Sequence, residues 1–191
     1  MSVGILVLAA GRATRFGADK RLAELPGGRR VIDTLLDKVR ASGLPFAVCL
    51  GVNDNHIADQ LREENIQYIQ CERADEGMGG TLAEASGHIP DWSGVIVALA
   101  DMPWIAPATY LEVAAQLSAN RICVPAREGR RGHPVGFGSD FYLELRSLGG
   151  DTGARHLLKK HAKHVVELPV NDAAIHWDID FPSDLKGILA T

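Results

Sequence analysis

The feature that most constrains the fold is a series of short apolar runs, separated by amphipathic segments, between Val3 and Ala126. The runs are apolar without interruption, as in GVIVALA before Asp101, rather than alternating between apolar and polar residues. Strands that are buried on both faces of a parallel sheet have this pattern. The intervening segments carry apolar residues at helical spacing, as in VIDTLLDKVRAS. The sequence therefore predicts an α/β protein with three layers, in which helices cover both faces of a mostly parallel sheet.

The last third of the chain is less regular. It contains three strand-like runs, HPVGFG, HVVELPV and IHWDID, and two helix-like segments, DFYLELRSL and GARHLLKKHA. A last helix starts at Pro182, with Ser183 as its expected cap. No linker, composition shift or internal repeat separates these elements from the rest of the chain. We expect them to extend the same sheet with an antiparallel strand, and we expect residues 1–191 to form a single domain.

Composition excludes several classes of protein. The net charge of −4 argues against binding to nucleic acid or to an anionic membrane surface. No apolar stretch is long enough to span a bilayer, and no basic residue precedes the first apolar run, which favours a buried strand over a signal peptide. The cysteines, Cys49, Cys71 and Cys123, are odd in number and form no CxxC pair, so we expect reduced thiols and a cytoplasmic protein.

Three loops are expected to meet in one crevice, because ligands bind beyond the carboxyl ends of the strands in open α/β sheets. These loops follow the first, third and fourth apolar strands, at residues 9–20, 72–80 and 101–105. Each of them has an unusual composition of glycines or charged residues. Their predicted proximity is the first indication of a functional site.

The loop after the first strand has the composition of a phosphate-binding site. In VLAAGRATRFGADKRL, Gly11 allows backbone N–H groups to approach a ligand closely. Three cations in the same loop, Arg12, Arg15 and Lys20, offer positive charge for phosphate oxygens. The spacing matches neither the Walker A loop nor the GxGxxG motif, and a solvated basic loop would have the same composition.

Aspartates at two places in the chain are candidate ligands of a divalent metal. Asp101 ends the fourth apolar run, where its carboxylate would face the crevice, and oxygen ligands at such a place suit Mg²⁺. Asp178 and Asp180 lie two residues apart and point the same way if they share a strand, so one of them could be a second ligand. The alternatives are an ordinary turn aspartate and a surface strand end.

Other segments give weaker indications. EGMGGTL places its glycines at the start of a helix, where N–H groups attract anions, although a plain turn has the same pattern. The basic loop from Arg127 to His133 suits an anionic second substrate, and a solvated loop explains it at least as well. His161 and His164 have the spacing of a metal pair, but a solvated basic helix is the better interpretation because no carboxylate accompanies them.

Six segments, taken in order, resemble the motifs of one family. LAAGRATRFGADK is similar to the motif LAAGxxxRxGxxK of the MobA-like nucleotidyltransferases, GMGGTL to their GMSSSL-type segment, and LADMPW to their DMP at a strand end. RGHPVGF, GGDTGAR and DIDFPSDL resemble the GHPV, GDxGAR and DIDTPEDL motifs, which point to the branch that contains the molybdenum cofactor cytidylyltransferases. The matches extend from residue 5 to residue 185.

The resemblance implies a Rossmann-like fold of the nucleotide-diphospho-sugar transferase type. It implies transfer of a nucleoside monophosphate from an NTP to a phosphorylated acceptor, with Arg15, Lys20 and Asp101 as catalytic residues and Asp101 and Asp180 as Mg²⁺ ligands. The implied nucleotide contacts are Leu8, Ala9, Ala10, Gly11, Arg12, Gly77, Gly79, Gly80 and Thr81. The implied acceptor contacts are Arg131, Gly132, His133, Asp151 and Arg155.

Ala10 bears on the choice of nucleotide. Guanylyl-transferring members of the family tend to carry LAGG where this chain has LAAG, so the resemblance implies CTP. It also implies the molybdopterin cofactor as acceptor and a molybdenum-dependent hydroxylase as the protein that receives the product. The chain departs from the family pattern at Gly79 and Gly80, which replace two serines, and at Phe181, which replaces a threonine. Serine contacts to the nucleotide are therefore missing, and its selectivity stays open.

Three other functions agree with parts of the sequence. The same fold could act on a sugar phosphate or another phosphorylated small molecule, or it could bind and deliver a cofactor without catalysis. A nicotinamide-dependent oxidoreductase shares the α/β class, but the chain lacks GxGxxG and has LGV, without an acidic residue, at the end of the second strand. Phosphoryl transfer agrees with the absence of a convincing nucleophilic triad, because it needs positioning and charge neutralisation.

Overall fold

The computed structural model describes residues 2–11 and 16–186. The strands in this part of the chain are β1 (Ser2–Leu8), β2 (Phe46–Gly51), β3 (Tyr68–Cys71), β4 (Trp92–Leu99), β5 (Ile122–Arg127), β6 (Arg130–Arg131), β7 (Val135–Gly138) and β8 (Val165–Pro169). The α-helices are α1 (Val31–Ala41), α2 (Asn55–Glu63), α3 (Met78–Gly87), α4 (Pro107–Gln116), α5 (Tyr142–Arg146) and α6 (Arg155–Lys160). Within these described ranges, no helix has the length and apolar character needed to cross a membrane.

The described strands form one mostly parallel sheet. The order is β3-β2-β1-β4-β7-β5, and both β6 and β8 pair with β5. β1 lies at the centre, parallel to β2 and β4, so that Leu8 is opposite Cys49 on one side and Leu99 on the other. β7 is antiparallel to β4 and to β5, which confirms the expected antiparallel strand. The predicted α/β architecture is confirmed.

Both faces of the sheet are covered by helices. Ile5 and Val7 of β1 pack into a core with α1, α2 and α4, whereas Leu6 and Leu8 pack into a second core with α3, α5 and α6. Successive side chains of a strand point to opposite faces, so a strand between two helical layers must be apolar at every position. This burial is the physical cause of the uninterrupted apolar runs. The three cysteines are buried and free.

The IHWDID segment is not a strand, contrary to the sequence prediction. Ala173–His176 forms a 3₁₀ turn, and residues 177–180 are irregular. They lie across the end of β4, where the Ile179 N–H donates to the Asp101 carbonyl oxygen at 2.9 Å and the Ile179 side chain is fully buried. This contact between distant segments, and not strand pairing, determines the position of Asp180.

The turn at Pro182–Lys186 is not capped by Ser183, as the sequence had suggested. The Asp184 carboxylate instead accepts hydrogen bonds from the N–H groups of Asp180 and Phe181, at 3.0 and 2.7 Å. The bond from Phe181 is the main cause of a lowered pKa at Asp184. The carboxylate thereby fixes the backbone that carries Asp180.

Candidate active site

The carboxyl ends of β1, β3 and β4 meet at a cavity of about 590 Å³. Its walls come from the loops after these three strands and from the start of α3, so the expected shared crevice is confirmed. Strand pairing continues to its edge, because the Ala100 N–H donates to the Leu8 carbonyl oxygen at 3.1 Å. The predicted site residues that line the cavity are Leu8, Ala9, Ala10, Gly11, Lys20, Gly77, Thr81, Asp101 and Asp151.

Lys20 lies between the two predicted metal ligands. Its Nζ donates to Asp101 Oδ2 at 2.7 Å and to the Ile179 carbonyl oxygen at 2.8 Å, and it lies 3.4 Å from Asp180 Oδ1. The side chains of Lys20, Asp101 and Asp180 are 17, 21 and 39% exposed, respectively. Partial burial reduces screening by water, so these ion pairs are stronger than pairs on an open surface.

The carboxylates at this place suit a hard divalent cation. Asp101 Oδ1 is buried, and no described residue donates a hydrogen bond to it. A buried carboxylate oxygen without a partner is costly, and a bound cation would satisfy it. Three or more His, Cys, Asp or Glu side chains do not cluster as a metal site anywhere among residues 2–11 and 16–186. Mg²⁺ fits such a place, because it is usually held by one or two carboxylates together with substrate phosphates.

The backbone of residues 149–150 packs against the start of α3. The Gly79 N–H donates to the Gly150 carbonyl oxygen at 2.7 Å, and a Cβ on Gly79 would overlap the Gly149 carbonyl oxygen. A Cβ on Gly80 would clash with the carbonyl oxygen of Arg73. The two glycines that stand in place of the family's serines therefore make room for neighbouring backbone. At Gly79, the N–H group is also used within the protein.

Gly77, Met78 and Thr81 form the part of the α3 start that lines the cavity. Gly77 has a φ of +105°, a conformation that favours glycine, and a Cβ there would clash with the Asp151 carboxylate. The Thr81 hydroxyl donates to the Gly77 carbonyl oxygen at 3.2 Å. Asp151 is thus held against the first turn of α3, at the wall of the cavity.

Arg21 shapes the site, although the sequence analysis missed it. The residue is only 8% exposed, and its five N–H groups are all used. They donate to both carboxylate oxygens of Asp19, to both of Asp54 and to the Ala9 carbonyl oxygen. Burial alone would lower the pKa of Arg21, but these carboxylates outweigh it and raise the pKa. Asp19 was visible as a neighbour in sequence, whereas Asp54 is 33 residues away.

Arg21 lines both this cavity and a second cavity of about 490 Å³. The second cavity is formed by the loops after β1, β2 and β3. Arg21 joins two of these loops, because it binds Ala9 after β1 and Asp54 after β2. Residues shared by both walls are Ala10, Gly11, Arg21, Ala74 and Asp75.

His133 lies close to Asp101. Burial lowers the pKa of His133, the charge of Arg155 adds to this effect, and the charges of Asp101 and Asp178 partly oppose it. The backbone N–H of His133 donates to the Ile175 carbonyl oxygen at 3.0 Å. The ring Nδ1 of His133 is buried and has no hydrogen-bond partner among the described residues. The structure thus brings His133 under the influence of the charges of Asp101, Asp178 and Arg155.

Not all predicted residues meet at the cavity. Arg131 is exposed, and its guanidinium donates to Glu167 of β8 at 2.8 Å. Gly132 packs against Ile175, where a Cβ would clash with backbone. Contacts of Arg131 and Gly132 with an acceptor therefore stay predictions. The predictions for Arg12 and Arg15 lie outside the described residues.

The carboxyl edge of this mostly parallel sheet carries a glycine loop, a lysine and Asp101 around one cavity, and Asp180 contacts the same lysine. Open α/β sheets bind their ligands at this edge. Residues 5–165 match the model of the MobA-like NTP transferase domain, and the chain belongs to this nucleotidyltransferase family. The resemblance to this family is thereby confirmed.

The relatives agree with this assignment. Purine catabolism protein PucB of Bacillus subtilis (strain 168) is 23% identical over 200 residues, which cover 93% of this chain and 91% of PucB. The crystal structure of Rv0371c from Mycobacterium tuberculosis H37Rv matches with a TM-score of 0.85 and 27% identity over 100% of both chains. Rv0371c in complex with manganese matches with a TM-score of 0.80 and 28% identity over 96% of both. Molybdopterin-guanine dinucleotide biosynthesis protein A from Archaeoglobus fulgidus, at 20% identity, 95 and 94% coverage and a TM-score of 0.64, shares the fold.

Proposed function

We propose that this protein transfers a nucleoside monophosphate, with CMP preferred, from an NTP to the phosphate of a molybdopterin-type cofactor. The observation that supports this most strongly is the cavity of about 590 Å³ at the carboxyl edge of the sheet, where Lys20 and Asp101 line the same wall as the backbone of residues 9–11. A lysine and backbone N–H groups suit a triphosphate, and a carboxylate pair suits the metal that accompanies it.

In the proposed reaction, an oxygen of the acceptor phosphate attacks the α-phosphorus of the NTP. The bond from the α-phosphorus to the bridging oxygen breaks, and pyrophosphate leaves with the electron pair. Lys20 neutralises the charge that develops on the leaving group, and the backbone of residues 9–11 holds the phosphates in line. Arg15 is proposed as a second cation. No general base is required, because an acceptor phosphate is already ionised near neutral pH.

Asp101 and Asp180 are proposed to hold Mg²⁺. When bound, the ion would neutralise charge on the donor and acceptor oxygens. The unpartnered Asp101 Oδ1 supports this role, and so does the manganese complex of the similar Rv0371c. The proposed acceptor contacts are His133, Asp151 and Arg155, with Arg131 and Gly132 as more distant candidates.

The preference for CTP is proposed from Ala10, which lines both cavities. Gly77, Gly79 and Gly80 would offer backbone rather than hydroxyl contacts. The Archaeoglobus neighbour is named for molybdopterin-guanine dinucleotide biosynthesis and the Bacillus relative for purine catabolism, and the first name supports a molybdopterin acceptor. A molybdenum-dependent hydroxylase would then receive the product. Buried, free cysteines agree with the proposed cytoplasmic location.

The test is pyrophosphate release in a screen of the four NTPs against molybdopterin and several sugar phosphates, with Mg²⁺ present. We expect the fastest release with CTP and molybdopterin. Release with a sugar phosphate alone would replace the proposed acceptor. Nucleotide binding in calorimetry without release in any combination would contradict catalysis and indicate a cofactor-binding or delivery protein.

The Asp101→Asn substitution tests the metal site. It keeps the size of the side chain and removes its charge, so we expect kcat/KM to fall by about a hundredfold or more. Asp91→Asn is the matched control, because Asp91 is exposed at the opposite end of β4. Its kinetics should equal those of the wild type. Unchanged turnover in Asp101→Asn would remove this carboxylate from the mechanism.

A further inference from the structure

We infer that Lys20 is an exchangeable internal cation, which takes the place of the metal between Asp101 and Asp180 until nucleotide and metal bind together. The inference rests on the proposed function, because it assigns the metal to these carboxylates. It adds a role for Lys20 beyond phosphate contact: in the ligand-free protein, its ammonium group competes with the metal.

The contacts of the ammonium group are those of a bound cation. Among the described residues, the oxygens within 3.4 Å of Lys20 Nζ are carboxylate or carbonyl oxygens, contributed by Asp101, Ile179 and Asp180. The metal is proposed to use Asp101 Oδ1, to which no described residue donates a hydrogen bond, whereas Lys20 Nζ donates to Oδ2 of the same carboxyl group. A divalent ion held by this oxygen and by Asp180 would therefore lie beside the ammonium group. Two cations placed side by side repel each other strongly in a partly buried site, so we expect the metal to displace the ammonium group from the two carboxylates.

Lys20 also offsets repulsion between the two carboxylates. Asp101 follows β4, whereas Asp180 belongs to the irregular segment that docks on the Asp101 backbone through Ile179. Two carboxylates brought together in this way repel each other. The single positive charge of Lys20 cancels part of this repulsion and keeps the pair in place.

We expect the Lys20 side chain to move away from Asp101 and Asp180 when a nucleotide binds. It is a flexible chain of four methylene groups on the wall of the same cavity as Ala10 and Gly11, where the phosphates are proposed to bind. A triphosphate offers Lys20 new anionic partners at the moment the metal takes its former ones. Nucleotide should therefore increase the affinity for metal, and metal should increase the affinity for nucleotide by the same factor.

The experiment measures Mn²⁺ affinity by electron paramagnetic resonance, with and without a CTP analogue that carries an α,β-methylene group. Three proteins are compared: wild type, Lys20→Met, and Lys163→Met as a control that removes one positive charge from an exposed position. We expect Lys20→Met to bind Mn²⁺ alone at least about fivefold more tightly than wild type, and the analogue at least about fivefold more weakly. The enhancement of Mn²⁺ binding by the analogue should shrink in this variant. Lys163→Met should resemble the wild type in all three values.

Equal or weaker Mn²⁺ binding by Lys20→Met, relative to wild type, overturns the inference. If the variant is less stable, its thermal midpoint supplies a second readout: Mn²⁺ should raise the midpoint more in Lys20→Met than in wild type, and an equal or smaller rise overturns the inference. Pyrophosphate release distinguishes this result from the proposed function. Release by the wild type together with unchanged Mn²⁺ affinity in Lys20→Met would preserve the function and refute the exchange.

Discussion

Arg21 connects three segments that approach the cavity from different directions. Its planar guanidinium binds Asp19 and Asp54 through paired hydrogen bonds and also reaches the Ala9 carbonyl oxygen. A lysine has one nitrogen and three donors, so it cannot reproduce this set of contacts. Arg21 can affect nucleotide binding without contacting the nucleotide, because it positions the Ala9 backbone that is proposed to bind it.

Arg21→Lys should therefore weaken nucleotide binding more than it slows chemistry. We expect KM for the NTP to rise about tenfold with a smaller change in kcat, because a shift of the Ala9 backbone misplaces the phosphates. Arg21→Met, which removes the positive charge from two partly buried carboxylates, should lower the free energy of unfolding by about 3 kcal/mol. Steady-state kinetics and urea denaturation measure these effects.

The control is Arg29→Lys, which alters an arginine–aspartate pair with Asp37 that is more than half exposed. Exposed pairs contribute little, so its KM and stability should match those of the wild type. A wild-type KM in Arg21→Lys together with reduced stability would make Arg21 a structural residue without influence on nucleotide binding.

At the scale of elements, the start of α3 shows how backbone packing selects glycine. The segment at residues 149–150 lies so close to α3 that a Cβ on Gly79 would overlap it, whereas a Cβ on Gly87, in the last turn of the same helix, would meet nothing within 4 Å. The family's serine at the first of these positions would not fit here without movement of the backbone. The departure from the family pattern is thus a packing property of this chain.

Gly79→Ala and Gly87→Ala should change stability in opposite directions. We expect Gly79→Ala to lower the free energy of unfolding by about 1–3 kcal/mol, because the new methyl group overlaps backbone that cannot rotate away. Gly87→Ala is exposed and should raise it by about 0.5–1 kcal/mol through helix propensity. Urea denaturation of both variants tests this. A neutral Gly79→Ala would show that residues 149–150 are free to move.

At the scale of the whole molecule, the parts that could be predicted were those set by local pattern. β1 and β4 were evident because burial on both faces demands an apolar residue at every position. Residues 177–180 were mistaken for a strand, because their place depends on a hydrogen bond to Asp101 and on burial of Ile179, which no local pattern encodes. Lys20, Asp101 and Asp180 could be named singly, whereas their contact follows only from the fold.

The Arg21 cluster was invisible in sequence for a related reason. Its second carboxylate, Asp54, belongs to the N-cap residue of α2, yet its side chain makes no capping bond to that helix. It binds Arg21 and the Gly51 N–H instead. The role of Asp54 can be assigned only when its distant partner, Arg21, is known.

Two partly buried carboxylates, Asp19 and Asp33, predict how the stability of the protein changes in acid. Burial would raise the pKa of Asp19 and of Asp33, but Arg21 outweighs it at the first and Arg30 with Gln60 at the second, so both pKa values lie below 3.8. A carboxyl group whose pKa is lowered by folding stabilises the protein fully above its ordinary pKa. That stabilisation is lost as the pH falls through the lowered value.

We expect the free energy of unfolding to be nearly constant from about pH 7 to pH 5 and to fall below about pH 4. The double variant Asp19→Asn/Asp33→Asn should be less stable than wild type at pH 7 and should lose less stability between pH 5 and pH 3, because two of the responsible carboxyl groups are gone. Asp91→Asn, at an exposed position, should follow the wild-type curve. Urea denaturation at each pH gives the three curves. Parallel curves for the double variant and wild type would mean that the acid sensitivity arises elsewhere in the molecule.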